Sequence, residues 1–427
     1  MERGDQLYRQ FVAILEEELR PAMGCTEPIA LAYAGARCRD LLGQEPGRID
    51  VAVSGNIIKN VKSVVGPNTG GLRGIAAAVC AGVFAGQADR ELEVISQVSD
   101  AQRANLRQKM AETAVNIAPS DSGLVFDIDI TLTAGADSAR VRIVNHHTNL
   151  VHMRKNDQIL LDLPVEESSE DHLTDKSCLT IERIVEFADV LDVEDIRSCV
   201  GRQLEYNMAI AEAGLNGDWG ANIGRVILRQ QGGSLEKRAC AYAAAGSDAR
   251  MSGCEMPVII LSGSGNQGIT ASVPVAIVAK EMNASEEELL RAVALSDLVT
   301  IHQKTGIGRL SAYCGAISAG IGAGAGIAYL RGDRFHAIAH TVVNAIAILS
   351  GTICDGAKPS CAAKIAAAVD AGILGYDMYL ENQQFYGGDG IVTKGVDKTV
   401  TNVGRLAREG MRETDKTILD IMLSDGC

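Results

Sequence analysis

The stretch LVFDIDITLTAGADSARVRIV, residues 124–144, decides the fold class, because apolar and polar side chains alternate along it. The even-numbered residues of Phe126–Leu132 are apolar, and the odd-numbered residues of Val125–Thr133 are mostly polar. A period of two indicates β-strands with one buried face, and Ala134–Asp137 fits a hairpin turn between two of them. The region up to Leu161 therefore predicts a half-buried antiparallel sheet.

Helical periodicity dominates the rest of the chain. Asp5–Arg20 and Ile29–Leu42 predict helices separated by a tight break at Gly24–Pro28, and beyond Leu179 the pattern is almost entirely helical. The charged segment Glu166–Ser177 has little to bury and predicts a linker. We therefore expect an α+β protein, with an N-terminal α/β domain (residues 1–170) built on a mostly antiparallel sheet and a larger, mostly α-helical catalytic domain (residues 171–427).

Composition narrows the function classes. The 427 residues carry 54 acidic against 40 basic side chains, a net charge of −14 that repels nucleic acid and anionic lipid. The first twenty residues lack the pattern of a secretory signal, so we expect a cytoplasmic protein. Tyr313–Leu330 is uncharged and rich in glycine, and we interpret it as a buried central helix rather than a membrane span. Composition leaves a homodimer open.

Three of the eleven cysteines, Cys314, Cys354 and Cys361, form the first candidate constellation. The last two lie in a Gly- and Pro-containing break between predicted helices, and Cys314 lies near the start of the glycine-rich helix. Three thiolates near helix ends fit an iron–sulfur cluster that keeps one iron open as a Lewis acid. On spacing alone, buried structural thiols are the favoured interpretation.

The loop LSGSGNQGIT, residues 261–270, is the second candidate, because it follows an apolar run and precedes a predicted helix. Backbone N–H groups at a helix N-terminus suit a carboxylate or phosphate. The loop lacks the order of glycines of a Walker or Rossmann motif, and a flexible turn is the alternative. The third candidate is Gly24–Pro28, where a helix N-terminus would lower the pKa of Cys25 and favour a base or nucleophile; an inert buried cysteine is the alternative.

Taken together, these motifs resemble the L-cysteine desulfidase family, which is related to iron–sulfur L-serine dehydratases that do not use PLP. The resemblance covers nearly the whole chain through GCTEP at Gly24, HTN at His147, SDARM at Ser247, SGSGNQGITA at Ser262, and Cys314 with CDGAKPSC at Cys354. It implies a 4Fe-4S cluster on Cys314, Cys354 and Cys361, and α,β-elimination of L-cysteine to pyruvate, ammonia and sulfide. No lysine stands out as a Schiff-base candidate for PLP.

The resemblance also implies roles for residues outside the cluster. Cys25 becomes the candidate base, and Arg250 a partner for the substrate carboxylate. The residues assigned to binding a small amino-acid substrate are Thr26, Glu27, Asn56, His147, Asn149, Asp248, Arg250, Ser264, Gly265, Asn266 and Gly268. Cys427, the last residue, is a candidate fourth ligand that caps the open iron, and a frayed tail is the alternative.

The chain departs from the serine dehydratases at two places. GCTEP replaces their serine- and histidine-rich N-terminal motif, and Cys354 and Cys361 are closer together than the matching cysteines. These departures favour cysteine over serine as the substrate. An L-serine dehydratase with the same cluster and a non-catalytic iron–sulfur redox sensor remain the alternatives.

Overall fold

The computed structural model describes residues 1–165, 173–230, 233–308 and 311–424, and it confirms the α+β class. A sheet with its helices forms the N-terminal part, and a larger helical region follows. The predicted domain boundary at residue 170 lies within 166–172, outside the described residues, as does most of the predicted linker; both stay predictions.

The first 165 residues contain five helices and seven strands among the described elements. In chain order these are α1 (Gln6–Glu18), β1 (Arg20–Met23), α2 (Thr26–Leu42), β2 (Arg48–Val53), α3 (Gly55–Val61), α4 (Gly74–Ala85), α5 (Asp100–Glu112), β3 (Ala114–Pro119), β4 (Asp127–Ala134), β5 (Asp137–Val144), β6 (Leu150–Lys155) and β7 (Gln158–Asp162).

Beyond residue 172, the described part of the chain contains eleven α-helices and one short strand. They are α6 (Ile181–Val190), α7 (Arg202–Asn216), α8 (Ile223–Gln230), α9 (Leu235–Met251), β8 (Pro257–Ile260), α10 (Gly265–Met282), α11 (Glu286–Ile307), α12 (Gly315–Leu330), α13 (Phe335–Leu349), α14 (Cys361–Leu380), α15 (Val396–Arg405) and α16 (Arg412–Ser424).

The six-stranded sheet has the order β3-β2-β4-β5-β6-β7. The pairs from β2–β4 to β6–β7 are antiparallel, as the alternating pattern predicts, and only β2–β3 is parallel. Ile128, Ile130 and Val141 are completely buried beneath helices α2 and α4. These helices cross at Gly82, where an added Cβ would lie 1.9 Å from the carbonyl oxygen of Ala32, so a larger residue would force them apart.

Helix α12 is the centre of the helical region and packs against α10, α11, α13 and α14. Its glycines let backbones touch: an added Cβ at Gly320 or Gly324 would lie 2.4 Å from backbone atoms of Ala368 or Gly372 in α14. The interpretation of this glycine-rich segment as a buried central helix is confirmed. Among the described helices, none combines the length and apolarity needed to cross a bilayer.

The first elements of the chain pack into the helical region rather than onto the sheet. Phe11 of α1 lies fully buried beside Phe187 of α6, with ring centroids 5.1 Å apart. Strand β1 pairs antiparallel with β8, with Ala22 opposite Val258. Because α2 then returns to the sheet, the break at Gly24–Cys25 lies at the junction of the two regions.

Candidate active site

Four helices, α2, α10, α12 and α14, begin around one cavity of about 100 Å³ at this junction. Helix N-termini direct free N–H groups and positive dipole ends toward the space they surround. The predicted site residues that line the cavity are Cys25, Glu27, Arg250, Ser264, Asn266, Cys314, Cys354 and Cys361. Residues that are far apart in sequence thus meet at one place.

A short backbone bridge brings Cys314 and Cys354 together. The N–H of Cys354 donates to the carbonyl of Ala312 at 2.6 Å, and the N–H of Cys314 donates to the carbonyl of Thr352 at 3.0 Å. The Cys314 thiol donates to the Cys354 sulfur, which lowers the pKa of Cys354 and raises the pKa of Cys314. Cys354 therefore carries the more thiolate-like sulfur of the pair.

Cys361 is the first residue of α14, and its Sγ lies 3.7 Å from the carbonyl oxygen of Gly356. Gly356 has a φ of +98°, and a Cβ there would lie 2.2 Å from the carbonyl oxygen of Lys59, so this loop position requires glycine. The neighbouring Asp355 carboxylate accepts from Lys364 at 2.7 Å and pairs with Lys358. The loop between Cys354 and Cys361 is therefore held in place by charge and by close packing.

The donor set fits a multi-iron group better than a single ion. Three thiols line the cavity, and soft sulfur ligands are those that iron–sulfur clusters use. Within the described ranges, no three His, Cys, Asp or Glu side chains are close enough together to hold one metal ion. Thiols spread around a cavity match a cluster, because each cysteine binds a different iron atom. Cys427 lies outside the described residues, so its role as a fourth ligand stays a prediction.

Cys25 differs from its predicted state. It precedes the first residue of α2, as expected, but it is 2% exposed, and burial raises the pKa of its thiol to about 12. Arg250 lies beside the thiol and opposes this shift without reversing it. The expectation of a thiolate stabilised by the helix N-terminus is wrong for the ligand-free protein, because loss of solvation outweighs the helix dipole.

Arg250 is held against the start of α10. Its Nη1 donates to Oδ1 of Asn266 at 3.1 Å, and its Nε is buried without a hydrogen-bond partner. A Cβ at Gly265 would lie 2.4 Å from that Nε, so Gly265 makes room for the guanidinium rather than facing the cavity. Arg250 is 2% exposed, yet no carboxylate lies within 4.0 Å of it in the part of the chain that the structure describes.

Glu27 faces the same cavity from α2 and is 8% exposed. Its Oε1 accepts from Nδ2 of Asn60 at 3.1 Å, and its Oε2 accepts from the hydroxyl of Thr26, also at 3.1 Å. Thr26 is buried behind Glu27, does not itself line the cavity, and is also 3.0 Å from the carbonyl oxygen of Gly263. Burial raises the pKa of Glu27, since the hydrogen bonds and Arg250 only partly compensate for lost solvation.

Two residues predicted to bind substrate have structural roles instead. Asp248 does not line the cavity; its carboxylate accepts from the N–H of Ile223 at 2.6 Å and caps the start of α8. Gly268 lies in the first turns of α10, where a Cβ would be 2.0 Å from the carbonyl oxygen of Ile259 in β8. The assignments of Asp248 and Gly268 to the pocket are corrected, because helix capping and helix–strand packing account for them.

Three further predicted residues lie away from the cavity wall. His147 and Asn149 lie in the turn between β5 and β6, where the His147 ring is 4.9 Å from that of Phe126 and the Asn149 side chain donates to Val144 at 3.0 Å. Asn56 lies in α3, and its Oδ1 is buried without a partner. The cavity does not include these three residues, so the structure does not support their predicted contact with substrate.

The cavity wall also contains polar residues that sequence reasoning missed, namely Asn60, Gln267, Lys304, Ser311 and Tyr313. Gln267 is 4% exposed, and its Oε1 has no hydrogen-bond partner. Gln267 belongs to the loop of residues 261–270 that was predicted to bind an anion, so its position in that motif could have identified it. Lys304 is a charged residue on the buried face of α11, which is also a signal that could have identified it. Asn60 and Tyr313 gave no such signal.

The class that fits this scaffold and cavity is an enzyme. Residues 89–420 match the family model described as the serine dehydratase alpha chain, so the chain belongs to that family of iron–sulfur-dependent lyases. It is 55% identical to a UPF0597 protein of Desulfitobacterium hafniense over 424 residues, which cover 99% of both chains. UPF0597 proteins of Treponema denticola and Lachnoclostridium phytofermentans are 43% and 44% identical, over 98% of this chain and 98% and 100% of theirs.

Proposed function

We propose that the protein is an L-cysteine desulfidase, which converts L-cysteine to pyruvate, ammonia and sulfide by α,β-elimination. The observation that carries this proposal is the meeting of Cys314, Cys354 and Cys361 in the cavity that also holds Cys25 and Arg250. The family supports a lyase with an iron–sulfur cofactor. A cysteine substrate agrees with the GCTEP motif, which the serine dehydratases lack.

Cys314, Cys354 and Cys361 would hold a 4Fe-4S cluster. When bound, such a cluster with three protein ligands supplies one open iron as a Lewis acid for the leaving sulfur or the carboxylate. Lys364 and Lys358 neutralise Asp355 between two of these ligands, which reduces the negative charge around the thiolates. PLP has no part in this proposal.

The chain's own groups would orient the amino acid and move its proton. The Arg250 guanidinium and the N-terminus of α10 at Ser264–Asn266 bind the carboxylate, and Asn266 fixes the direction of Arg250. Cys25 removes the α-proton once its thiol has lost its own proton, a change that Arg250 favours although burial opposes it.

The bonds that change follow from this arrangement. The electrons of the Cα–H bond form the Cα=Cβ double bond, the Cβ–S bond breaks, and sulfur leaves as hydrosulfide. The resulting aminoacrylate tautomerises to an imine, and water hydrolyses the imine to pyruvate and ammonia. The buried walls keep water away until the leaving group has departed.

L-Serine dehydration is the second candidate, because the matching family model is described by that reaction. The test compares pyruvate release from L-cysteine and L-serine by full-length protein reconstituted with iron and sulfide without oxygen. We expect a higher kcat/KM for L-cysteine; a higher value for L-serine would assign the dehydratase. A full iron complement with no turnover of either amino acid would favour a redox sensor.

The role of Cys25 has its own test. Cys25→Ser should retain the iron content and visible spectrum of the wild type but release pyruvate at least 100-fold more slowly, as expected when a general base is lost (about 10²–10⁴-fold). Unchanged turnover would assign proton removal to another group, and loss of iron would assign Cys25 to cofactor binding.

A further inference from the structure

Two buried charges of opposite sign line the cavity without pairing. Glu27 and Arg250 are 8% and 2% exposed, and no ion pair within 4.0 Å joins them to each other or to any other side chain in the described ranges. Burial of an unpaired carboxylate or guanidinium costs several kcal/mol, so folded proteins rarely retain one without a compensating partner. Two such groups on one cavity indicate that the compensation comes from a ligand.

The surrounding hydrogen bonds keep the two charges apart. Asn60 and Thr26 donate to separate oxygens of Glu27 and hold the carboxylate on the α2 side. Asn266 accepts from Nη1 of Arg250 and holds the guanidinium at the start of α10. All of these hydrogen bonds involve neutral side chains, and the positive charge of Arg250 offsets only part of the effect of burial, which raises the pKa of Glu27.

The ligand that fits both groups carries an ammonium and a carboxylate a few ångströms apart. We propose that Glu27 binds the α-ammonium of an amino acid whose carboxylate pairs with Arg250, and that Glu27 thereby selects α-amino acids over the corresponding α-hydroxy and unsubstituted acids. This inference rests on the proposed function for its substrate class and adds the residue that determines specificity.

The other ionisable groups at the cavity agree with this division. Lys304 and Arg250 are basic residues on the cavity wall. The four cysteines on the wall have other proposed roles: Cys25 as the base, and Cys314, Cys354 and Cys361 as cluster ligands. Among the cavity-lining residues, Glu27 is the only carboxylate within the described part of the chain. An ammonium group therefore has one carboxylate partner on the described wall, and the ligand's carboxylate has Arg250.

The test measures binding of ligands that cannot be eliminated. L-Alanine has an ammonium and a carboxylate but no leaving group. L-Lactate has a hydroxyl in place of the ammonium, and propionate has the carboxylate with neither an ammonium nor a hydroxyl group. Isothermal titration calorimetry of the full-length, anaerobically reconstituted protein should give at least tenfold tighter binding of L-alanine than of L-lactate or propionate. Equal affinities, or no binding of L-alanine, would overturn the proposal.

Two substitutions test whether Glu27 causes the preference for ligands with an ammonium group. Glu27→Gln should weaken L-alanine binding at least tenfold and change propionate binding less than twofold, whereas Arg250→Lys should weaken both. Glu18→Gln is the matched control, because Glu18 is also buried but pairs with Lys176 away from the cavity; it should leave both affinities unchanged. An equal effect of Glu27→Gln on L-alanine and propionate would contradict the role of Glu27.

The outcomes separate this inference from the proposed reaction. If Glu27→Gln does not fold, the wild-type series of three ligands still tests the ammonium preference. Selective binding of L-alanine without turnover of cysteine or serine would retain the role of Glu27 and overturn the elimination. Turnover without an ammonium preference would do the reverse.

Discussion

Buried carboxylates in the sheet have charged partners, whereas the buried carboxylate at the cavity has no ion-pair partner among the described residues. In the sheet, Asp127 is 1% exposed and pairs with Arg142 on the neighbouring strand at 2.9 Å, and Asp129 pairs with Arg140 beside it. At the cavity, Glu27 and Arg250 are buried without a charged partner. A charge that serves the fold is neutralised within the fold, whereas a charge that serves a ligand remains available.

Asp297 in the helical core shows a third solution. It is completely buried, its Oδ1 accepts from Nε2 of Gln203 at 2.9 Å, and burial raises its pKa to about 8. Asp297 therefore stays protonated at neutral pH and needs no cation. Burial raises the pKa of Glu27 as well, so Glu27 differs from Asp297 by lining a cavity that a ligand can enter.

The largest expected effect comes from removing a cavity cysteine. Cys354→Ser should lower the iron content and reduce turnover more than 1000-fold, because the hard hydroxyl replaces a soft thiolate ligand. Cys38→Ser makes the same change in the sheet region, where the thiol lies 3.2 Å from the carbonyl oxygen of Ala139 and 3.6 Å from that of Ile130. We expect iron content and turnover like those of the wild type there; equal effects of the two changes would break the contrast between the regions.

The second prediction concerns pH and Asp297. Because the folded-state pKa of about 8 lies above the unfolded value, the native state holds one more proton between about pH 4 and pH 8. Asp297 therefore lowers the free energy of unfolding by about 1.4 kcal/mol for each pH unit of increase across that window. Asp297→Asn should remove this slope in urea titrations from pH 5 to pH 8, and an unchanged slope would mean that Asp297 is ionised.

A smaller effect is expected in the sheet. Burial acts to raise the pKa of Asp127, but the hydrogen bonds from Arg142 and two serines outweigh it and lower the pKa. The carboxylate is therefore ionised at neutral pH. Asp127→Asn leaves Arg142 without its partner and should reduce the free energy of unfolding by about 2 kcal/mol, less than for a fully buried pair because Arg142 is partly exposed. Denaturant unfolding measures this, and the KM for substrate should not change.

The smallest effect is expected for the corresponding acid-to-amide substitution at the cavity, which should change the free energy of unfolding in the opposite direction. Because burial raises the pKa of Glu27, its carboxyl destabilises the folded state at pH 8. Glu27→Gln removes this effect, so we expect the ligand-free protein to gain about 1 kcal/mol in the free energy of unfolding. The paired variants Asp127→Asn and Glu27→Gln thus sharpen the contrast. A loss of stability for both would mean that Glu27 is already compensated within the protein.

Periodicity predicted the elements better than their pairing. The alternation around Ile128 and Ile130 gave the antiparallel strands, but β3 follows the polar helix α5 and lacks alternation, so its parallel pairing with β2 had no local signal. Helix starts were also misplaced: α10 begins at Gly265, not after Thr270, because tertiary packing outweighs the low helix propensity of glycine.

The site was predicted where a motif marks a helix start and missed where only tertiary contacts bring residues together. Cys25, Asn266 and Cys361 all lie at or next to helix N-termini that surround the cavity. Asn60 reaches it because α3 packs beside α2, a contact between residues 33 apart in sequence. His147 has polar neighbours in the sequence, as a site residue often has, but the turn that contains it does not line the cavity.

The most direct test of the central claim is sulfide and pyruvate release from L-cysteine by anaerobically reconstituted protein, before and after exposure to air. The account predicts equal amounts of the two products, loss of release in air, and no release by Cys354→Ser under either condition. Release that persists in air and in Cys354→Ser would contradict an iron–sulfur active site at this cavity.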